Sequence, residues 1–316
     1  MERARLRPLR LEAGQTIGLI SPSGPTSPGG ATTPEQLAAA RARLAEAGFP
    51  TVIAPHALDV RGYLAGDDPG RVADLHAMFT DPAVRAVLCI RGGYGAMRLL
   101  DAVDYDLIRR HPKVFIGYSD ITALHLALHH RAGLVTFHGP MAAAIAGGEH
   151  DLGRLLHAVT RPQPLGPLVN PPDGPEIETL VPGTADGVLL GGNAAVLTSL
   201  LGTPYLPSFE GAVLFLEDIL DHTYRLDRKI VQLRLAGVLE QVAGIVVGEC
   251  RLRAEPGDQG LSIRQILEDL VVPLGKPAMY GLACGHGAYH LTLPVGVRAH
   301  LDAGRGVLSV DEAAVT

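Results

Sequence analysis

The sequence predicts an α/β protein of two domains, the first of which is built on a parallel β-sheet. Short apolar runs alternate with helix-like segments along the first half of the chain, which is the pattern of βαβ units. A stretch rich in proline and glycine then interrupts the pattern between residues 160 and 187, and new apolar runs follow it. The length of 316 residues suffices for two domains.

The elements of the first half are bounded by residues that start or stop helices. Gly48 is a helix stop, and Asp68 or Pro69 is a helix start. The runs rich in Val, Ile, Leu and Phe are read as strands, and the longer segments between them as helices. The predicted strands are residues 16–21, 51–54, 84–90 and 113–118, and the predicted helices are residues 34–48, 68–80 and 121–130.

Residues 161–186 are predicted to link an N-terminal domain of residues 1–160 to a C-terminal domain of residues 187–316. The linker contains the segment RPQPLGPLVNPPDGP, which has no clear period. Beyond it, we predict strands at 187–190, 212–217 and 244–249 and helices at 194–201 and 225–236. The tail, residues 295–310, alternates in polarity like antiparallel strands.

The composition argues against several classes of protein. The net charge of −6 is not that of a nucleic-acid-binding protein, which carries a basic stripe. Apolar runs are broken within a dozen residues, so no membrane span is predicted. Three widely spaced cysteines fit a reducing compartment, and the N-terminus does not resemble a signal peptide. We therefore expect a cytoplasmic protein without a nucleic-acid or membrane partner.

A serine stands directly after a predicted strand in the segment KVFIGYSDITALHLAL. A strand followed at once by a helix forces a sharp turn, and Ser119 would then project at the sheet edge where open α/β sheets bind ligands. The helix N-terminus offers free N–H groups, so the Asp120 N–H could stabilise an oxyanion. The segment resembles a nucleophile elbow, although Ile121 stands where the second glycine of G-x-S-x-G would be. Helix capping is the other interpretation of Ser119, and this segment alone favours it.

A serine nucleophile needs a base, and the base needs an orienting acid. His286 in ACGHGAYH is the best candidate base because its small neighbours leave the ring accessible; as one of 13 histidines, it is otherwise an ordinary loop residue. Glu217 in AVLFLEDI is the best candidate acid, because a carboxylate at the end of a buried strand is costly unless it is paired. Asp218 would point to the opposite side of a continuing strand. The alternative is that both acids begin a loop.

The loop RGGYG, residues 91–95, is the candidate for a second oxyanion donor. It follows a predicted strand, and its glycines permit close approach of the backbone. A plain glycine-rich turn is the alternative. A phosphate-binding loop has less support, because RGGYG matches neither the P-loop pattern nor G-x-G-x-x-G, and the same holds for SPSGP after the first strand.

Other mechanisms have weaker support. A serine–lysine dyad has three lysines to draw on, and Lys113 begins the strand that ends before Ser119. Zinc could be bound by Cys284, His286 and His290, but the chain has neither an H-E-x-x-H motif nor a paired C-x-x-C motif. Cys284 as a nucleophile would have His286 too near in sequence for an easy geometry.

Motifs along nearly the whole chain resemble one family. In order, they are IGLISPSGP, CIRGGYGAMRLL, FIGYSDITALH, TFHGPM, LLGGNAAVLTSLLGTPY, LFLEDI with YRLDRKIVQLRLAG, and GLACGHG with LTLPVGV. Together they resemble the LD-carboxypeptidases, the serine peptidase family that includes muramoyltetrapeptide carboxypeptidase and the microcin C self-immunity proteins. Their order and spacing are far more specific than any single motif.

The resemblance implies a Ser–Glu–His triad, which matches Ser119 in GYSD, Glu217 in LEDI and His286 in GHG. It also implies an oxyanion hole formed by the backbone N–H groups of Gly93 and Asp120. The family fold is a Rossmann-like or flavodoxin-like α/β domain that carries the serine, followed by a swivelling β/β/α-type domain that carries the glutamate and the histidine.

The resemblance further implies the substrate. LD-carboxypeptidases remove the terminal D-Ala of a murein tetrapeptide by hydrolysing an L,D-peptide bond; they use no metal or other cofactor, act in the cytoplasm during cell-wall recycling and are usually homodimers. The free carboxylate of such a substrate needs a cationic partner, and we expect Arg91 to supply it beside Gly92 and Tyr94. A surface salt bridge is an equal alternative for Arg91.

The main departure from the family concerns the microcin-cleaving branch. Members of that branch carry a tryptophan that stacks on adenine, and this chain has no tryptophan. The sequence therefore favours a murein peptide over a peptidyl-nucleotide conjugate, although a Tyr or Phe could supply the stacking surface instead.

Overall fold

The structure, a computed structural model, describes residues 4–147, 152–220, 222–252 and 260–316. Within these bounds the chain forms two compact units. The first unit comprises residues 1–163, 292–296 and 314–316, and the second comprises residues 164–291 and 297–313. The chain thus passes into the second unit after residue 163 and returns twice to the first.

Strands and helices are numbered here in chain order. The strands are β1 (Thr16–Ile20), β2 (Thr51–Ile53), β3 (Val84–Cys89), β4 (Val114–Gly117), β5 (Thr136–His138), β6 (Pro164–Leu168), β7 (Glu178–Val181), β8 (Thr184–Asn193), β9 (Val213–Leu220), β10 (Gly244–Leu252), β11 (Ala278–Leu282), β12 (Leu293–Val295), β13 (Arg298–Asp302) and β14 (Val307–Ala313). The helices are α1 (Pro34–Glu46), α2 (Asp68–Thr80), α3 (Tyr105–Arg110), α4 (Thr122–Ala127), α5 (Ala142–Gly147), α6 (Leu152–Thr160), α7 (Ala194–Ser199), α8 (Tyr224–Leu235), α9 (Val238–Gln241) and α10 (Ile263–Leu270). No helix of the described ranges combines the length and the apolar composition needed to cross a membrane.

The first unit is built on a six-stranded sheet in the order β12-β5-β4-β3-β1-β2. Strands β1 to β5 pair in parallel, and β12 pairs antiparallel with β5. The order 2-1-3-4-5 of the parallel strands is that of flavodoxin-like folds, in which ligands bind beyond the carboxyl ends of the strands. The predicted parallel α/β domain is confirmed.

Local sequence explains the main elements of this sheet. Strands β3 and β4 are buried along nearly their whole length, as expected for apolar runs in a parallel sheet covered on both faces. Helix α1 begins with a capping box between Thr33 and Gln36, and α2 begins where the Asp67 side chain accepts a hydrogen bond from the Gly70 N–H at 2.8 Å. Both helices start where the sequence predicts, and α1 ends at Glu46, two residues before the predicted stop.

The second unit is built on an eight-stranded mixed sheet in the order β6-β14-β13-β8-β9-β10-β11-β7. Its centre consists of the parallel strands β8 to β11, with antiparallel strands on both sides. Helices α7 to α10 lie in the crossovers between the parallel strands. The carboxyl ends of β8 to β11 therefore meet at one edge of the sheet.

The structure differs from the predicted linker of residues 161–186. β6 and β7 lie in this range as the two edge strands of the second sheet, and β8 begins there. Proline lacks an N–H donor and is tolerated in strands at sheet edges. β6 is such a strand, and its Pro-rich sequence has no clear hydrophobic period from which a strand could be predicted. The predicted C-terminal range of residues 187–316 differs too, because residues 292–296 and 314–316 pack with the first unit.

Candidate active site

Ser119 lies in a strained turn directly after β4. Its φ is +62°, and among the described residues it is the one non-glycine residue with a positive φ. Such a conformation costs roughly 1–3 kcal/mol and is characteristic of functional turns. The predicted helix at 121–130 is divided into a 3₁₀ turn at Ser119–Ile121, α4, and a π turn at Leu128–Ala132. Ser119 is the N-cap of none of them, so the capping interpretation is wrong, and the turn has the strained geometry of a nucleophile elbow.

The departure from the G-x-S-x-G pattern has a packing explanation. A Cβ on Gly117 would lie 2.8 Å from Cγ2 of Ile121, so glycine is required at residue 117 because Ile121 packs over it. Ile121 is fully buried. This turn therefore keeps the first glycine of the G-x-S-x-G pattern, whereas the buried side chain of Ile121 occupies the position of the second glycine.

The RGGYG loop lies against the Ser119 side chain. A Cβ on Gly92 would be 3.0 Å from Cβ and 3.3 Å from Oγ of Ser119. Gly93 has a φ of +126°, a conformation that favours glycine, and its backbone is exposed. The loop is tied to the SPSGP segment by a hydrogen bond from the Gly24 N–H to the Gly92 carbonyl at 3.2 Å. The structure therefore brings the proposed oxyanion loop to the serine within the first unit.

The Asp120 carboxylate joins three loops at the carboxyl edge of the first sheet. It is buried, and its Oδ2 accepts hydrogen bonds from Oγ of Ser23 at 2.6 Å and from the Ala96 N–H at 2.8 Å. Burial raises the pKa of Asp120, and these two hydrogen bonds oppose the rise. The sequence pointed only to the backbone N–H of Asp120, and the bracing role of its side chain and of Ser23 was not predicted.

Arg71 of α2 braces two of the same loops. Its side chain is buried, and Nη1 donates to the carbonyls of Pro22 at 2.5 Å and Gly95 at 3.1 Å. Nη2 also bonds the Asp68 carboxylate. An arginine in an amphipathic helix looks like a solvent-facing residue in the sequence, which explains why it was not selected.

Arg91 and Tyr94 flank the first two glycines of the RGGYG loop. Arg91 is half-buried, and its Nη1 donates to the Pro25 carbonyl at 3.3 Å. Burial lowers the pKa of Arg91, but a guanidinium stays charged at neutral pH. Within the described chain it forms no salt bridge, so its charge is not already neutralised by a carboxylate. Tyr94 is exposed and meets Tyr63 edge to face, with ring centroids 5.6 Å apart.

Glu217 and His286 are paired in the second unit. Nδ1 of His286 lies 2.6 Å from Oε2 of Glu217. The Glu217 side chain is fully buried, and that of His286 is 14% exposed. A carboxylate at Nδ1 favours the proton on that nitrogen, which leaves Nε2 as the basic nitrogen of the ring. Strand β9 continues to Leu220, so Glu217 is not the start of a loop.

Gly285 and Gly287 allow the loop that carries His286 to pack closely against Glu217 of β9 and Glu249 of β10. A Cβ on Gly285 would lie 2.9 Å from Cβ of Glu217, and a Cβ on Gly287 would lie 1.7 Å from Oε2 of Glu249. The loop is also braced by His290, whose Nδ1 is 2.9 Å from the Gly285 carbonyl oxygen. The glycines on both sides of His286 are thus explained by the lack of space for a side chain at residues 285 and 287. This constrains the two positions more strongly than the need to keep the histidine ring accessible.

Asn193 and Lys229 complete the surroundings of Glu217, and neither was predicted from the sequence as a residue of the site. Asn193 ends β8 opposite Glu217, and its Nδ2 donates to Oε1 of Glu217 and to Oδ1 of Asp218, each at 3.2 Å. Its Oδ1 accepts from the Val196 N–H and so caps α7. Lys229 of α8 forms an ion pair with Asp218. The segment GGN after an apolar strand was the available signal for Asn193.

The alternative nucleophiles and bases are otherwise engaged. Lys113, at the start of β4, donates from Nζ to the carbonyls of Met78 and Asp81, and burial lowers its pKa to about 8. Burial raises the pKa of the Cys284 thiol, which disfavours a thiolate nucleophile. Across the described ranges, no three His, Cys, Asp or Glu side chains converge in a group that could hold a metal ion.

Comparisons with known proteins cover both units. Residues 17–139 match the family model described as the LD-carboxypeptidase N-terminal domain, and residues 186–301 match the LD-carboxypeptidase C-terminal domain. A relative from Bacillus subtilis named "Probable murein peptide carboxypeptidase" is 39% identical over 307 residues, which are 94% of this chain and 91% of the relative.

Solved structures give the same result. The muramoyltetrapeptide carboxypeptidase from Oxalobacter formigenes has a TM-score of 0.81 at 30% identity and covers 96% of this chain and 100% of its own. An MccF-like protein from Bacillus anthracis has a TM-score of 0.87 at 29% identity and covers 97% of this chain and 99% of its own.

Proposed function

The chain belongs to the LD-carboxypeptidase family of serine carboxypeptidases, and from this premise we propose that it hydrolyses the L,D-peptide bond to the terminal D-Ala of murein tetrapeptides. Two observations support the proposal, one in each unit. The first unit holds a serine in an elbow, and the second holds a histidine whose Nδ1 is 2.6 Å from a buried glutamate.

In the proposed reaction, Ser119, His286 and Glu217 act as nucleophile, base and orienting acid. Nε2 of His286 takes the hydroxyl proton as Oγ of Ser119 attacks the carbonyl carbon, and Glu217 stabilises the resulting imidazolium. The backbone N–H groups of Gly93 and Asp120 stabilise the oxyanion. His286 then passes its proton to the amine of the departing D-Ala. Water, deprotonated by the same histidine, hydrolyses the acyl-enzyme and regenerates the serine.

The proposed substrate contacts lie in the RGGYG loop. Arg91 is proposed to bind the free carboxylate of the terminal D-Ala, because its guanidinium is charged and forms no salt bridge within the described residues. Gly92 and Tyr94 would line the same subsite. Such a contact would favour a carboxypeptidase over an endopeptidase, since a chain that continued past the D-Ala would place an uncharged amide at Arg91.

The decisive experiment is incubation of the purified protein with murein tetrapeptide in EDTA, followed by quantification of free D-Ala. We expect release in EDTA and a loss of about 10⁴–10⁶-fold in kcat for Ser119→Ala, by analogy with other triads. Absence of release from the wild-type protein, or release that EDTA abolishes, would contradict the proposal.

A second candidate is hydrolysis of a peptidyl-nucleotide conjugate of the microcin C type. The similarity to the MccF-like structure is the observation in its favour. The absence of tryptophan from the chain and the murein-peptide name of the relative at 39% identity favour the first candidate. Both candidates use the same triad, so the comparison that separates them is kcat/KM for murein tetrapeptide against kcat/KM for a peptidyl acyl-sulfamoyl-adenylate.

We also propose the setting of the reaction. As a recycling enzyme, the protein would act in the cytoplasm on peptides returned from the wall, and it would do so as a homodimer. Light scattering of the purified protein at two concentrations measures the oligomeric state directly. A mass near the 33.2 kDa of one chain at both concentrations would contradict the dimer.

A further inference from the structure

A second buried ion pair lies directly beside Glu217. Nζ of Lys229 is 2.5 Å from Oδ2 of Asp218, and their side chains are 16% and 2% exposed. Glu217 and Asp218 are consecutive residues of β9, and the amide of Asn193 donates one hydrogen bond to each of them. The side-chain amide of Asn193 thus donates to two buried carboxylates at once.

Two carboxylates so placed cannot both stay ionised without a counter-charge, because burial and mutual repulsion each favour protonation. Burial raises the pKa of Asp218 above its ordinary value, and Glu217 adds to the rise. Lys229 opposes it, as does the Ile219 N–H, which donates to Oδ1 of Asp218 at 2.8 Å. Asp218 therefore competes with Glu217 for a proton unless the lysine neutralises it.

Among the described residues of the second unit, no Arg or Lys other than Lys229 is placed against the pair in a buried position. β10 contributes Cys250 and Glu249, and burial raises the pKa of both, so that the thiol stays neutral. The segment after β11 contributes Cys284, whose pKa burial also raises, and His286. Arg251 is exposed, and its Nη1 contacts the His286 carbonyl oxygen at 3.4 Å.

We propose that Lys229 is a positioning residue, which neutralises Asp218 and so leaves Glu217 as the carboxylate that carries its negative charge against His286. The proposal rests on the proposed roles of Glu217 and His286. Lys229 contacts neither of these side chains in the described structure and acts through Asp218.

Removal of the lysine charge has a defined chemical consequence. Without Lys229, the two carboxylates share a proton and titrate as a coupled pair. Glu217 is then neutral part of the time, and the imidazolium of His286 loses its partner. The histidine therefore gives up its proton at a lower pH and is a weaker base at neutral pH.

The test compares Lys229→Met with the double variant Lys229→Met/Asp218→Asn and with Lys229→Arg. Lys276→Met is the matched control, because the described partners of Lys276 Nζ are the backbone carbonyls of Glu240 and Val242. Two readouts are used. They are the pH profile of kcat/KM for D-Ala release, and the titration midpoint of His286 by NMR, assigned through the loss of its signal in His286→Gln.

We expect Lys229→Met to lower kcat by about 10–100-fold, which is typical for residues that orient a functional group without contacting the substrate. KM should stay within about threefold of the wild-type value. The acid limb of the pH profile and the His286 midpoint should both move to lower pH. Lys229→Arg should keep both near the wild-type values. The double variant removes the competing acid together with its counter-charge, so it should regain at least tenfold in kcat and the wild-type midpoint.

An unchanged midpoint in Lys229→Met, or a double variant no better than the single one, would overturn the proposal. If Lys229→Met fails to fold because Asp218 is left unpaired, the double variant decides, since it has no unpaired charge, and a lowered midpoint in it overturns the proposal. The titration needs no substrate. A wild-type protein that releases no D-Ala would therefore contradict the proposed function while leaving the positioning role open to test.

Discussion

Ser119 in the first unit is held by backbone geometry, whereas Glu217 and His286 in the second are held by charge. Around the serine, the φ of +62° and the tight approach of Gly92 fix a position in space. Around the histidine, a buried carboxylate lies at Nδ1, an amide donates to that carboxylate, and an ion pair lies beside it. A nucleophile needs placement and a base needs a tuned affinity for a proton, so Ser119 and the His286–Glu217 pair are expected to respond differently to substitutions.

Among the variants that test this difference, the largest effect is expected where charge is removed from the second unit. Glu217→Gln keeps the shape of the acid but not its negative charge, so the imidazolium loses its stabilisation. We expect kcat to fall by about 10⁴-fold, a loss typical of replacing the acid of a triad. Steady-state kinetics of D-Ala release measures it, with the exposed Glu240→Gln as the control. A loss below tenfold would contradict the difference drawn between the two units, because the position of His286 alone would then be sufficient for its action as a base.

A smaller effect is expected where space is removed from the first unit. In Gly92→Ala, the new Cβ would sit 3.0 Å from Cβ of Ser119 and must displace it by a few tenths of an ångström. We expect kcat to fall by roughly 10–100-fold, because small misplacements of reacting groups are costly. The pH profile should stay unchanged. Gly304→Ala, where the nearest atom is 3.5 Å away, is the control. A shifted pH profile in Gly92→Ala would show that the loop also tunes charge.

A third effect, on stability rather than on activity, concerns the acid sensitivity of the first unit. Nε2 of the buried His125 is 2.8 Å from the Gly117 carbonyl oxygen below the elbow, and burial lowers its pKa to about 3. The folded state thus resists protonation, whereas the unfolded chain takes up a proton below about pH 6.5. Stability is therefore lost as pH falls from 6.5 towards 3, by at most about 1.4 kcal/mol per pH unit.

Urea unfolding of wild type and His125→Gln at pH 7, 6 and 5 checks this expectation. The difference between the two proteins should shrink as the pH falls, because only the wild type carries this histidine. The buried His129, with its pKa lowered to about 4, remains in both proteins and cancels in the comparison. A difference that stays constant over this pH range would show that His125 is not the source of acid sensitivity.

The sequence predicted most of the first unit and little of the periphery of the second. Apolar runs such as that of β4 and caps such as Thr33 are local signals, and they were sufficient for the parallel sheet. The edge strands β6 and β7 were missed because proline and partial exposure remove the periodicity on which a strand assignment depends. The return of β12 to the first sheet depends on pairing across more than 150 residues, which no local pattern encodes.

The candidate site shows the same limit. Ser119, Glu217 and His286 stand in distinctive motifs and could be selected from the sequence. The residues that brace them could not, since Asp120, Arg71 and Lys229 look like ordinary polar residues of a turn and two helices. Only the fold brings the Asp120 carboxylate to Ser23 and the lysine to Asp218.

In the proposed mechanism, His286 of the second unit activates Ser119 of the first. The most direct measurement is labelling of the full chain with a fluorophosphonate, which reacts with activated serines, followed by peptide mapping. We predict a single labelled residue, Ser119, in the wild-type protein, and labelling slowed by at least about 10³-fold in His286→Ala. Labelling of another residue, or of Ser119 at equal rates in both proteins, would contradict the account.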